Sequence, residues 1–170
     1  IDSNTDNDYI VIVTVTDSGS NTDSQTLTIT VTNVDDIAPV ITSNGSGSTA
    51  GINFAENSTS AVTTVTSTDV DNLSGTTYSI SGTDASVFDI NGTSGVLTFK
   101  SAPDFETKID SNTDNDYIVI VQVSDGSNAD SQTITVAVTD VEEAVPGCTD
   151  DVACNFNANA TEDDGSCEYA

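Results

Sequence analysis

The feature that most constrains this chain is an internal repeat. Ile1-Asp2-Ser3-Asn4-Thr5-Asp6-Asn7-Asp8-Tyr9-Ile10-Val11-Ile12-Val13 recurs letter for letter from Ile109 to Val121, an offset of 108 residues. Similarity continues past one inserted residue near Ser18, from Val15 and Asp17 against Val123 and Asp125 to Val34 against Val141. A period this long suits a unit with its own core better than a short-period solenoid. Residues 1–34 then read as the last third of one unit, 35–143 as a complete unit, and 144–170 as a Cys-bearing tail.

Within the unit, apolar residues alternate. Leu27, Ile29 and Val31 are separated by Thr, as are Ile134 and Val136, which is the period-2 pattern of half-buried strands. Thr and Ser supply 48 residues, and β-branched Thr keeps strand propensity on a solvent face without adding apolar surface. The strands expected in the complete unit are 40–42, 61–68, 76–81, 87–90, 96–99, 117–124 and 133–141. Residues 9–17 and 26–34 are expected as the final two strands of the preceding unit. A lone two-stranded hairpin is marginal in water, so the rest of its own repeat, or strands from another chain, should complete it. The fold class is therefore all-β, a tandem array of Greek-key β-sandwich repeats, and no helix of useful length is expected.

Charge narrows the function. The chain carries 2 Lys and no Arg against 28 Asp plus Glu, a formal net charge of −26, and contains no His. A reader of nucleic acid needs clustered cationic side chains, and an anionic membrane surface would repel this chain. No stretch approaches the ~18 consecutive apolar residues of a membrane span, so nucleic-acid partners and direct membrane insertion are not expected. Without imidazole most proton shuttles are closed, no nucleophile-base pair or phosphate loop is evident, and an enzyme is not expected. Cations are the expected partners.

Many acids sit where strands should end, and in a definite order: Ala55-Glu56-Asn57, Asp69-Val70-Asp71-Asn72, Pro103-Asp104-Phe105-Glu106, Ser124-Asp125-Gly126, and the unit-joining stretches Asn33-Val34-Asp35-Asp36-Ile37-Ala38-Pro39 and Asp140-Val141-Glu142-Glu143-Ala144-Val145-Pro146. With Tyr78-Ser79-Ile80 and Phe88-Asp89-Ile90-Asn91-Gly92-Thr93-Ser94-Gly95-Val96, this order resembles the cadherin repeat over residues 1–146. The resemblance implies Ca²⁺ between successive repeats, and Ca²⁺ takes 6–8 oxygen ligands. Carried over by motif, the near junction would use Asn33, Asp35 and Asp36 with Asp69, Asp71 and Asp125. The far junction would use Glu56, Asp104 and Glu106 with Asp140, Glu142 and Glu143. Departures are Ile37 and Ala144 in place of the last Asn of the linker pattern, Asn33 in place of its first Asp, and Phe105 in place of an Arg, which imply fewer or weaker ions.

The loop Asp110-Ser111-Asn112-Thr113-Asp114-Asn115-Asp116 and its first copy, with Asp2, Asp6 and Asp8, read as solubilising surface charge, although their oxygens could hold a cation. From Gly147 to Cys167 the tail resembles a Cys-bounded motif of bacterial surface and secreted proteins, Bacteroidetes among them, which reads Gly-Cys-Thr-Asp and closes on Asp-Asp-Gly-Ser-Cys. That resemblance implies a Cys148–Cys167 disulfide. Cys154 is then left to pair outside the chain, to cross-link, or to stay free. Asp150, Asp151, Asn155, Asn157, Asp163 and Asp164 offer oxygens for a further Ca²⁺ in a small calcium-loop-like tail, with Asx-rich turns as the alternative. The spacing is not that of an EF-hand.

Together these readings point to an extracellular or cell-surface module of a stalk or fibre, stiffened by calcium and flanked by neighbouring repeats of the same chain. The alternatives are a self-assembling homo-oligomer or filament subunit using strand complementation or Cys154, and a non-catalytic accessory region of a secreted enzyme.

Overall fold

The computed structural model describes residues 7–71 and 75–170. Asp2, Asp6 and Asn72 lie outside the described residues. The chain opens on a hairpin, β1 (Asp8–Thr16) and β2 (Thr22–Thr30). Nine further strands follow: β3 (Val40–Ile41), β4 (Thr49–Ala55), β5 (Thr63–Thr64), β6 (Ser67–Thr68), β7 (Thr77–Ser81), β8 (Phe88–Ile90), β9 (Val96–Phe99), β10 (Asp116–Ser124) and β11 (Ala129–Thr139). Two short strands in the tail, β12 (Pro146–Gly147) and β13 (Glu162–Asp163), pair in parallel. The only helical element among the described residues is one 3₁₀ turn at Ala85–Val87.

One sheet of the sandwich runs β4-β11-β10-β7 and the other β5-β9-β8, with β3 paired to β6. Alternation does in β10 what the sequence pattern demands: Tyr117, Val119, Val121 and Val123 are inaccessible, while Ile118 on the opposite face is 36 % exposed. Ile134, Val136 and Val138 on β11 continue the buried face. Across the core lie Phe54, Phe88, Leu97 and Phe99, and the Tyr117 ring meets Phe88 and Phe99 edge-on, with centroids 6.3 and 5.3 Å apart. Full burial of side chains of this size contributes roughly 1.5–3 kcal/mol each.

Two strand expectations need correction. The expected strand over 61–68 is broken into β5 and β6, because β5 pairs with β9 in one sheet while β6 pairs with β3. Between them Val65 is fully buried and its N–H donates to the Gly95 carbonyl at 2.9 Å. Gly95 has φ +69°, and a Cβ there would lie 2.1 Å from the Val65 carbonyl oxygen, so the strand crossover requires glycine. The second correction is β4, which was not expected. Thr49-Ala50-Gly51-Ile52-Asn53-Phe54-Ala55 shows little β-branched alternation, and its strand geometry comes from parallel pairing with β11 along its whole length.

In the loop leading into β10, Asp114 and Asp116 are exposed as a solubilising role requires, but Asp110 departs from it. Asp110 is only 4 % exposed, and its carboxylate accepts the N–H groups of Asp114 (2.8 Å) and Asn115 (3.4 Å). Asp84, equally buried, accepts from Ser111 and Ile118 at 2.8 Å each. These carboxylates close the turn that feeds β10 into the core, as buried acids do when backbone donors compensate them.

Candidate cation-binding clusters

Two groups of carboxylates converge at opposite ends of β11. The near cluster lies where β10 ends and β11 begins. Asp35 arrives on the segment between β2 and β3, and Asp69 and Asp71 follow β6. Each places a carboxylate oxygen within 4.8 Å of the others. The backbone holds Asp71 in place, since its Oδ2 accepts the N–H of Asp36 (3.0 Å) and of Ile37 (3.1 Å). Those donors keep the Asp71 carboxyl below the usual range. Asp69 is pushed the other way, by desolvation first and then by Asp71 and Asp35. Asp69 Oδ2 and Asp71 Oδ1 are buried and find no hydrogen-bond partner among the described residues.

Asp125 joins this end from the β10–β11 turn. Its Oδ1 accepts from Ser127 and Asn128, both at 2.6 Å, which lowers its carboxyl against a smaller opposing push from Asp71. Asn33 and Asp36 are exposed on the linker, and Asp36 reaches the cluster through its N–H rather than its carboxylate.

The far cluster lies where β11 ends. Glu56, Glu106 and Glu143 bring carboxylate oxygens within 4.8 Å of one another. Glu56 is 3 % exposed. Its Oε2 accepts the Phe105 N–H at 2.8 Å and its Oε1 the Val141 N–H at 2.7 Å, so one carboxylate ties two loops together. Asn57 donates its side-chain amide to Glu143 Oε1 at 3.0 Å. Glu106 is raised by desolvation first and then by the charges of Glu56, Glu143 and Asp140. Asp104 instead caps the turn beneath, accepting from Thr107 (2.8 Å) and Glu106 (3.0 Å), and these donors lower its carboxyl. Glu142 is exposed and stands outside the group of three.

Sequence reasoning missed one residue that shapes this end. Asn115 is 2 % exposed with φ +70°, and its side-chain amide donates to the Phe105 carbonyl at 2.9 Å. The same peptide segment sends the Phe105 N–H to Glu56. Asn115 thus braces the loop carrying Asp104 and Glu106. The available signal was an Asn closing an Asp/Asn loop just before a strand, where a left-handed residue is often needed.

The tail acids do not converge in this way. Asp150 accepts from Val152 N–H (3.0 Å) and the Tyr169 hydroxyl (2.6 Å), and these bonds lower its carboxyl. Asp163 and Asp164 accept from Gly165 and Ser166, Asn157 from Asn159, while Asn155 spans to Ser166 and Glu168. Asp151 is exposed. Asp150, Asn157, Asp163 and Asp164 each accept from a backbone N–H two residues on and act as Asx-type turn formers, and among the described residues no group of three tail acids comes together. Cys148 and Cys167 are disulfide-bonded with Cα atoms 4.8 Å apart, and Cys154 is an exposed free thiol.

Both clusters offer only oxygen donors, the set hard cations prefer over zinc or copper. The buried oxygens of Asp69 and Asp71 that lack a donor are the kind of atom a bound cation satisfies, so the residues present fit Ca²⁺.

Residues 51–139, just over half of the chain, match the cadherin domain. Solved structures agree. The EC3-6 cis-dimer of protocadherin gammaB7 is 28% identical with a TM-score of 0.53, and the match covers 78% of this chain and 32% of that one. Mouse clustered PcdhgC3 EC1-3 is 25% identical with a TM-score of 0.58, over 82% of this chain and 46% of that one. Mouse cadherin-23 EC22-24, 21% identical, shares the fold with a TM-score of 0.55, over 83% of this chain and 45% of that one. The chain thus spans less than half the length of these structures. No curated protein matches it.

Proposed function

This chain belongs to the cadherin family, whose domains are extracellular adhesion modules, and from that premise we propose that it is a calcium-stiffened spacer in an extracellular or cell-surface stalk or fibre. At the near junction Asp35, Asp69, Asp71 and Asp125 would hold Ca²⁺, with Asn33 and Asp36 on the linker beside them. At the far junction Glu56, Glu106 and Glu143 would hold it, with Asp104, Asp140 and Glu142 nearby. Bound Ca²⁺ would supply positive charge that draws the linker carboxylates onto the sandwich. The chain's own residues do the rest: the N–H groups of Asp36 and Ile37 orient Asp71, and Asn57 orients Glu143.

The observation that carries this reading is the near cluster, where acids from the inter-unit linker and from the sandwich meet with two buried oxygens lacking a donor. Like charges this close repel unless a cation intervenes, so a metal-free junction should flex and a loaded one should stiffen. Small-angle scattering of a two-unit chain should show a narrower distribution of end-to-end distances in Ca²⁺ than in EDTA. Identical profiles in the two buffers would contradict a stiffening role.

The setting agrees with the chemistry. Disulfides persist in oxidising compartments, and extracellular modules bind Ca²⁺ with dissociation constants of about 10⁻⁴–10⁻³ M. Among the described residues no helix is long and apolar enough to cross a membrane.

A further inference from the structure

The tail fastens a free thiol alongside its own disulfide. Cys154 is exposed and unbridged, whereas Cys148, in the Cys148–Cys167 bond, is 1 % exposed and Cys167 is half-buried. The backbone N–H of Cys154 donates to the Glu168 carbonyl at 2.9 Å, and its thiol donates to the same oxygen at 3.1 Å. Asn155 then clasps both flanks of Cys167. Its amide donates to the Ser166 carbonyl at 2.7 Å, and its Oδ1 accepts the Glu168 N–H at 2.9 Å. Together these bonds hold the segment carrying the free sulfur against the segment carrying one bridged sulfur.

We propose that the tail disulfide is relocatable: Cys154 displaces Cys148 from Cys167, and the free thiol passes from an exposed position to a buried one. Cys154 gives its proton to water, and its thiolate attacks the Cys167 sulfur. A Cys154–Cys167 bond forms as the Cys148–Cys167 bond breaks, and the electron pair leaves on the Cys148 sulfur, which takes up a proton. One disulfide and one thiol stand on each side of the step, so no oxidant or reductant is consumed. Cys167 is the sulfur attacked, because the clasp lies on its side and Cys148 is inaccessible.

Chain entropy barely separates the two isomers. The bridged residues are 19 positions apart in one and 13 apart in the other, from 154 to 167, which is less than about a twofold difference in closure probability. Local packing therefore sets the balance. The backbone at Cys148 is held independently of its bridge, since its carbonyl accepts the Asn157 N–H at 2.9 Å and β12 pairs with β13. A thiol left there packs as a small apolar group, shielded from oxidants and from other thiols. The tail thus presents its thiol in one isomer and withdraws it in the other. Charge sets the pace: Asp163 Oδ1 lies 3.8 Å from the Cys167 sulfur, and its repulsion of an incoming thiolate slows exchange in a way that salt relieves.

The test holds the 170-residue chain near the ordinary thiol pKa of about 8.5, in EDTA and without oxidant. Samples are quenched in mildly acidic guanidinium with N-ethylmaleimide, and peptide mass spectrometry locates label and bridge. Label should move from Cys154 to Cys148 as a Cys154–Cys167 peptide accumulates, at a rate independent of protein concentration. The rate should rise several-fold in about 1 M salt, where the screening length is about 3 Å, and several-fold in Asp163→Asn; Asn155→Ala should slow it. In a glutathione redox buffer Cys148→Ser should close Cys154–Cys167 on the order of tenfold or more faster than Cys167→Ser closes Cys148–Cys154. Label that stays on Cys154, label that appears on Cys167, a concentration-dependent rate, or no bridge in Cys148→Ser would each overturn the proposal.

Discussion

At the near end three aspartates converge around oxygens that no donor satisfies; at the far end three glutamates converge around one that is already engaged on both sides. Asp69 Oδ2 and Asp71 Oδ1 are buried without a hydrogen-bond partner among the described residues. Glu56, by contrast, spends both oxygens on the N–H groups of Phe105 and Val141. Glu56 therefore has a structural task that needs no cation, while Asp69 and Asp71 each keep one buried oxygen without a donor. One family motif set can thus serve two physical purposes, and Ca²⁺ should matter more to the near junction than to the far one.

The sharpest way to break this contrast is Glu56→Ala. Removing a buried acceptor of two backbone donors, each a charge-assisted hydrogen bond, should cost about 3 kcal/mol in EDTA, read as a shift in the denaturant midpoint at constant slope. A change within about 0.5 kcal/mol would mean that Glu56 is merely a ligand. Asp69→Asn should behave in the opposite sense. With no metal it should leave stability unchanged or slightly raised, and it should weaken Ca²⁺ at the near end on the order of tenfold or more through loss of ligand charge, measured by isothermal titration.

A smaller effect should come from Asn115→Gly, which keeps the left-handed backbone and removes the amide that holds the Phe105 carbonyl. Far-end affinity should fall several-fold, as it does when an outer partner of a metal ligand is lost, while near-end affinity stays fixed. Equal loss at both ends would point to general destabilisation. Smallest is the pH effect in EDTA. Asp69 and Glu106 have raised carboxyls, so each costs stability at neutral pH and returns it as pH falls through the raised value toward the ordinary one. Asp71, Asp104 and Asp125 have lowered carboxyls. Their contribution is present above the ordinary carboxylate range and is lost as pH falls through their lowered values. Metal-free stability should therefore rise slightly below neutrality before it declines in acid, and a monotonic fall from pH 7 would contradict the assignment.

What was legible in the sequence follows from where the information sits. Strands β10 and β11 are encoded locally, because Tyr117, Val119, Val121 and Val123 alternate with outward residues along one stretch. Strand β4 is not, since Gly51 and Asn53 carry weak strand preference and its conformation is imposed by β11, more than eighty residues away. The order of Glu56, Asp69, Asp71 and Glu106 along the chain marks them as loop acids, and the structure brings them into two groups with Asp35 and Glu143. That Asp110 is buried could not be read from a polar heptamer, because its burial depends on backbone donors gathered by the turn itself. Nor does local sequence separate the two hairpins, whose nearly identical residues end up covered in one place and bare in the other.

The central claim is that cations occupy the seams where one unit meets the next. Anomalous diffraction from crystals grown in Ca²⁺ at a few times ~10⁻³ M, the upper range for extracellular modules, addresses it most directly. The account predicts a peak among Asp35, Asp69 and Asp71, with a weaker one among Glu56, Glu106 and Glu143. Well-ordered carboxylates at both ends with no anomalous density between them would contradict it.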